Sequence, residues 1–268
     1  MHWDIESGEV INVLQATDSD INGNSWDIAI SPDGKSFFFV TARNDDSGVY
    51  QFDIETLTEM NSFSTNRDDD ALYSVALTPD GHSILATSSS GDVILFDLDT
   101  GEVIRRYNLG GFSTNVEISA DGERFVAPVG NGSAMLVDIA SGEVIRTFDG
   151  HTDFVSNVVF TPDESQIVIS SGDGTLILWD VASGEALRTY SEHDAWVNRL
   201  ALSPDGTLAY STADDGTVIV RSIIEAPVDE ILAYIAANRV LPDFNCLERK
   251  QYRILPLCDA DGVVPDDN

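Results

Sequence analysis

The side chains that could do chemistry here are four histidines, two cysteines and a large excess of carboxylates. The histidines are His2, His82, His151 and His193, and the cysteines are Cys246 and Cys258. Acid–base and nucleophilic catalysis need such groups at defined spacings. No Gly-x-Ser-x-Gly, phosphate loop or His-Glu-x-x-His occurs. With 46 Asp and Glu residues, no carboxylate pair stands out as an acid and its base. Acidic clusters at Asp18 to Asp20, Asp45-Asp46 and Asp68 to Asp70 could attract calcium, but none has the spaced Asp/Asn pattern of an EF-hand loop. They read as solvated loop charge. No histidine lies near the cysteines in sequence, which argues against zinc. Cys246 and Cys258 could close a disulfide in an oxidising compartment, or stay free or buried. No catalytic role, metal or cofactor is expected.

Charge narrows the partners. The chain carries 14 basic residues and a formal net charge of −32. That balance repels phosphate backbones and anionic membrane surfaces, so nucleic acid and membrane are poor candidates. Basic partners remain open, and the acidity also suits a saline habitat. No run of 18 apolar residues is present to span a bilayer. Met1 to Val10 shows neither a basic nor an apolar leader region, which points to the cytoplasm.

The elements that must carry these residues follow a repeat. Ser-Pro-Asp-Gly stands at 31–34, Thr-Pro-Asp-Gly at 78–81, Ser-Ala-Asp-Gly at 119–122, Thr-Pro-Asp-Glu at 161–164 and Ser-Pro-Asp-Gly at 203–206. A second series keeps the same beat, with Asp-Ile-Glu-Ser-Gly from Asp4, then turns opening at Asp53, Asp97, Asp138 and Asp180. Between the turns lie short runs rich in Val, Ile and Phe, the signature of strands. In the fourth unit these are 155–160, 166–170, 175–179 and 185–190. Four antiparallel strands per period of about 42 residues form one propeller blade, which needs a neighbour on each apolar face.

The fourth unit resembles a WD40 repeat. It carries Gly150-His151 before its first strand, Ser170-Ser171 on the second, Asp173 in the next turn and Trp179-Asp180 at the end of the third. The resemblance implies a hydrogen-bonded network of His151, Asp173 and Trp179 with Ser170 or Ser171. In the fifth unit His193 and Asp215 recur but Arg221 takes the Trp position. Phe52, Phe96 and Val137 hold it in the first three units, so those blades should rely on apolar packing.

The expected fold is therefore all-β, a WD40-type propeller over residues 1–223 with about five four-stranded blades. Five is few for the family, so the ring is either open or the C-terminal part of a longer propeller. His2-Trp3-Asp4 reads as the end of a third strand, and a fourth at 9–15 could join the last blade as a clasp. An open ring would expose a sheet edge through which the chain could oligomerise. Residues 224–268 read as a C-terminal helical cap and acidic tail, with helices at about 228–239 and 246–252. Asn238-Arg239, Cys246 to Arg249, Tyr252 to Ile254 and Pro256 to Cys258 resemble a tail of some bacterial WD40 proteins.

The resemblance implies a non-catalytic scaffold that binds a protein or peptide, or the sensory or assembly portion of a larger bacterial signalling protein. A propeller hydrolase is the remote alternative. Loops before the first and after the second strand ring one end of such a channel, where partners commonly dock. Trp26, Tyr73, Phe112, Phe154 and Trp196 fall there. Trp26, Tyr73 and Trp196 are taken as contact candidates, with Trp196, like Phe112 and Phe154, also suited to packing between blades.

Overall fold

The computed structural model describes residues 2–3, 6–12, 25–41, 48–65, 67, 70–130, 132–191 and 193–223. The chain divides into two units, Met1–Ile223 and Ile224–Asn268. The second lies outside the described residues, and with it the two expected helices and both cysteines.

Among the described residues every regular element is a strand. The first sheet runs β3 (Ser25–Ile30), β4 (Ser36–Thr41), β5 (Gly48–Asp53), β6 (Glu59–Ser64), and the second β7 (Leu72–Leu77), β8 (Ser83–Ser88), β9 (Asp92–Asp97), β10 (Val103–Asn108). The third is β11 (Glu117–Ile118), β12 (Arg124–Pro128), β13 (Ser133–Asp138), β14 (Val144–Asp149), and the fourth β15 (Val155–Phe160), β16 (Gln166–Ser171), β17 (Thr175–Asp180), β18 (Ala186–Ser191). The fifth has three strands, β19 (Val197–Leu202), β20 (Leu208–Ala213) and β21 (Val218–Ser222). Each is an antiparallel meander in chain order. Near the N-terminus β1 (His2–Trp3) and β2 (Val10–Asn12) pair with each other in a separate ribbon. The expected clasp is not formed among the described residues, because β2 pairs with β1 and β21 has no outer neighbour.

Both turn series work by the same chemistry, a carboxylate gathering local donors. In the first, Ser31 Oγ donates to Asp33 at 2.7 Å and accepts the Ser36 N–H at 2.9 Å. Thr78, Ser119, Thr161 and Ser203 repeat this with Asp80, Asp121, Asp163 and Asp205. In the second, one oxygen of Asp53 accepts the N–H and hydroxyl of Thr56, both at 2.8 Å. Asp97, Asp138 and Asp180 do the same with Thr100, Ser141 and Ser183. These hydrogen bonds hold all nine carboxyls below their ordinary range. Nine of the 46 acidic residues are thus turn chemistry.

The first series also ties neighbouring sheets. A Cβ on Gly81 would lie 3.6 Å from Pro32, one on Gly122 3.2 Å from Pro79, and one on Gly206 2.6 Å from Pro162. Each turn glycine therefore packs over the proline of the preceding turn. Between the third and fourth sheets both partners change together. Ala120 replaces the proline and has an N–H that needs an acceptor. Glu164 replaces the glycine, at φ 55°, and its carboxylate accepts that N–H while pairing with Arg124 at 3.1 Å. A non-glycine residue in the left-handed region costs about 1 kcal/mol. The interblade bridge offsets that cost.

The core lies between sheets. Phe38, Val40 and Phe63 of the first meet Leu72, Ile84 and Phe96 of the second. Leu85, Val93 and Leu95 meet Val116 and Phe125. Val126 and Leu136 meet Val158, Ile167, Ile169 and Trp179, and Val168, Leu176 and Leu178 meet Leu200 and Ala209. Strand alternation sends one set of side chains to the preceding sheet and the other to the following one.

Candidate functional site

Aromatic rings gather at one rim: Tyr73 is the second residue of β7, Phe112 lies five residues before β11, and Phe154 and Trp196 immediately precede β15 and β19. Tyr73 meets Phe112 edge-on with ring centres 4.7 Å apart, Phe112 meets Phe154 at 5.7 Å, and Phe154 meets Trp196 at 5.9 Å. Such spacings are those of favourable aromatic pairs. Four successive sheets thus contribute one ring each to an unbroken arc. Tyr73, Phe112 and Phe154 are half-buried, and Trp196 is 42% exposed. Phe112 and Phe154, also suited to interior packing, are therefore members of the rim as well as spacers between sheets. The backbone of Trp26 lies on β3, while its side chain is outside the described residues.

Beside the arc is a cleft of about 320 Å³ lined by Tyr73, Thr114, Phe154, Ser156, Trp196, Asn198 and Arg199. A side chain at Gly172 would come within 3.2 Å of the Asp153 carboxyl and 3.3 Å of the Trp196 ring. Glycine at 172 therefore lets both groups stand at the mouth. Asn198 donates from Nδ2 to Asp214 at 2.7 Å, and the Asp214 N–H bonds the Trp196 carbonyl at 2.9 Å. The mouth combines flat apolar rings, amide and guanidinium donors, and exposed carboxylates of Asp153 and Asp214. Asn198, Arg199, Asp153 and Asp214 are additions to the sequence reading. Asn198 occupies the fifth-sheet position equivalent to Tyr73, so aligning the units by strand register would have found it.

The residues expected to form the blade network lie in the fourth and fifth sheets, with a different subset of them hydrogen-bonded in each. In the fourth sheet His151 Nδ1 faces Asp173 at 3.1 Å and Thr175 Oγ1 at 3.1 Å. Ser170 and Ser171 do not complete it. Ser170 bonds Ser156 on the opposite face at 3.0 Å, and Ser171 bonds the Asp153 carbonyl at 3.1 Å. The position that could reach the other ring nitrogen is held by Ile169, and His151 Nε2 has no hydrogen-bond partner among the described residues. Trp179 stands apart, its indole N–H likewise without a partner and its ring edge-on to Phe148 at 5.7 Å. In the fifth sheet Ser211 holds the position of Ile169, opposite Leu200 as Ile169 is opposite Val158. His193 therefore has Asp215 on Nδ1 at 2.9 Å and Ser211 on Nε2 at 2.8 Å.

Burial pushes the His151 pKa down, and Asp173 only partly opposes that. The Thr217 hydroxyl, then His193, hold the Asp215 carboxyl well below the usual range. Asp173 is also lowered, since its several hydrogen bonds together outweigh the burial that opposes them. Buried histidines hydrogen-bonded to carboxylates brace the loops leading to the rim. Among the described residues no group of three or more His, Cys, Asp or Glu is placed to hold a metal.

The family model of the WD domain, G-beta repeat, matches residues 142–180 and 184–222. Residues 142–222 carry WD40 repeats. Each matched stretch contains the outer strand of one sheet and the three inner strands of the next, so the WD40 unit straddles two blades and ties them covalently. The five sheets are blades of that all-β, propeller-like kind. No curated protein matches the chain.

Proposed function

We propose that this chain is a non-catalytic scaffold that takes an extended protein segment across the rim running from Tyr73 to Trp196. WD40 repeats are in general protein-interaction modules. The observation that carries the proposal is the unbroken contact of four rings from four blades beside a cleft. Flat rings take up apolar side chains at low entropic cost, and Tyr and Trp are enriched where binding energy concentrates. Asn198 and Arg199 supply donors for main-chain carbonyls. Asp153 and Asp214 favour basic flanking residues, as does the net charge of −32.

Peptides selected from a display library on the whole chain test this. Binding of the enriched peptides should weaken at least tenfold in Trp196→Ala and in Tyr73→Ala, with basic residues over-represented beside an apolar anchor. Enriched peptides indifferent to both substitutions would remove the rim. A second reading, assembly with another chain, is favoured by β21, whose outer edge carries no strand among the described residues. It suits a module that works as the sensory or assembly part of a larger bacterial signalling protein.

A further inference from the structure

The cleft beside the aromatic arc is walled by one register position repeated in four sheets. The innermost strands of the second, fourth and fifth sheets each slip by one residue against their partners, between Leu72 and Ser74, Val155 and Asn157, and Val197 and Arg199. The extra residues are Tyr73, Ser156 and Asn198. Such a bulge re-aims a side chain. Thr114 holds the same position in the third sheet, three residues before Glu117 as Ser156 is before Val159. All four line the cleft, and each carries a hydroxyl or an amide. The next position along changes in kind. In the first three sheets its residue accepts an N–H from the following sheet: Asp27 from Val75, Ser74 from Val116 and Asn115 from Val158. In the fourth, Asn157 is 6% exposed and its Oδ1 has no hydrogen-bond partner among the described residues. In the fifth it is Arg199, a side chain with donors and no acceptor. Arg199 lines the cleft, and its Nη1 donates to the Asn198 carbonyl at 3.3 Å.

We infer that the cleft holds the C-terminal carboxylate of the bound segment, with Arg199 as its counter-ion and the Asn198 amide beside it. This rests on the rim reading above and gives that segment an end and a direction. A guanidinium matches a carboxylate with two parallel donors and stays charged at any working pH. Asn198 holds Asp214 through one N–H at 2.7 Å, and its amide carries a second. The rings of Phe154 and Trp196 line the same cleft of about 320 Å³. A terminal residue carries an apolar side chain and a carboxylate on one carbon, so a single residue reaches both the rings and the guanidinium in that volume. An internal Asp or Glu would spend its side chain on Arg199 and leave the rings to a neighbour. Charge sets the direction. At the mouth Asp153 and Asp214 favour basic residues upstream of the chain end, and the net charge of −32 repels acidic ones.

The test uses three sets of short synthetic peptides anchored by their N-termini, with Lys and Arg upstream and randomised apolar residues toward the end. One set ends in a free carboxylate, the second in an amide, and the third in an amide after a final Glu. The whole chain should be retained on the free-acid set at least about tenfold better than on the amide set, the size of a charge-assisted pair. Arg199→Ala should erase that difference and Arg199→Lys restore part of it, with melting temperatures unchanged because the side chain is exposed. Trp196→Ala should weaken retention on both sets. Equal retention of acid and amide by the parent, or a preference that survives Arg199→Ala, overturns the inference, and a loss that persists in Trp196→Ala then leaves the rim reading intact. Retention of the Glu set equal to that of the free acids, and dependent on Arg199, overturns the chain end in favour of a side chain. Retention indifferent to Trp196→Ala and Tyr73→Ala, or absent from every set, removes the rim reading and this inference with it.

Discussion

The fourth and fifth blades carry the same histidine, aspartate and threonine, yet each lacks what the other has. The fourth has Trp179 but Ile169 where a hydroxyl is needed, and its histidine is satisfied on one nitrogen only. The fifth has Ser211 and a histidine bonded at both nitrogens, but Arg221 replaces the tryptophan and packs over Tyr190 with its guanidinium carbon 4.7 Å from the ring centre. The fourth blade is covered on both faces and the fifth on one. Apolar packing and polar bracing are therefore separable in this fold. A blade packed on both faces tolerates an imidazole nitrogen without a partner, and a blade with one exposed face leans on its hydrogen bonds.

The largest test of that difference places a charge at one strand position in both blades. Leu178→Asp puts a carboxylate at a site 5% exposed, where burial of an unpaired charge costs more than about 4 kcal/mol. Val220→Asp alters the equivalent residue on the open face and should stay within about 0.5 kcal/mol. Chemical denaturation would show the first variant unfolded or nearly so and the second like the parent. Equal losses would mean that the fifth blade's outer face is covered in solution.

Next in size is the tryptophan position. Trp179→Ala removes a side chain 4% exposed from the cluster shared with the third blade and should cost roughly 3–5 kcal/mol. Its indole N–H makes no hydrogen bond among the described residues, so the loss is one of packing, and Trp179→Phe should recover most of it. Arg221→Ala should cost no more than about 1 kcal/mol, the value of a partly exposed cation–π contact.

A third test uses pH. Glu117 lies between the third and fourth blades, where burial pushes its pKa up to about 7, with only the Phe160 N–H at 3.2 Å favouring its charged form. A raised folded-state value means the folded protein holds the proton more tightly. The stability this contributes is complete below the ordinary value of 4.5 and is lost as pH rises through about 7. Glu117→Gln should remove that alkaline loss and raise stability by roughly 3 kcal/mol at pH 8. His151 acts with the opposite sign. Its lowered value contributes stability above 6.5 that is lost as pH falls through the folded value. A melting temperature that does not vary between pH 5 and 8 in the parent, in Glu117→Gln and in His151→Gln would refute both assignments.

The strands and turns were legible because both are written locally. The Ser/Thr-Pro-Asp-Gly and Asp-x-x-Ser/Thr turns bind their own backbone, and strand ends follow them to within two residues in the fourth blade. Pairings that cross between units were not legible. Ser170 and Ser171 are adjacent to the network position without occupying it. Only the pairing of Ile169 with Val158 and of Ser211 with Leu200 shows which residue faces the histidine. The coupled change at Ala120 and Glu164 was visible as two departures from the motif. Their connection lies in one carboxylate spanning 44 positions. At the rim the aromatic residues could be read from the sequence. Their continuity, and the cleft with Asn198 and Arg199, depend on how blades stack.

The smallest test completes the fourth blade's network. Ile167 and Ile169 lie on one face of β16, both fully buried in one cluster. Serine at either site loses aliphatic contacts and buries a hydroxyl, which for Ile167→Ser should cost roughly 3 kcal/mol. Ile169→Ser removes the same side chain but sets the hydroxyl where Ser211 stands in the fifth blade, 2.8 Å from the imidazole there. With Nδ1 held by Asp173, the neutral ring offers Nε2 as an acceptor, and the new hydroxyl can donate to it. One buried hydrogen bond is worth about 1 kcal/mol, so Ile169→Ser should be milder than Ile167→Ser by about that amount. The reverse substitution, Ser211→Ile, should cost more than the lost hydrogen bond alone, because it strips His193 of its Nε2 partner in a blade packed on one face. If Ile167→Ser and Ile169→Ser prove equally damaging, the imidazole of the fourth blade gains nothing from a second partner, and packing alone holds that blade.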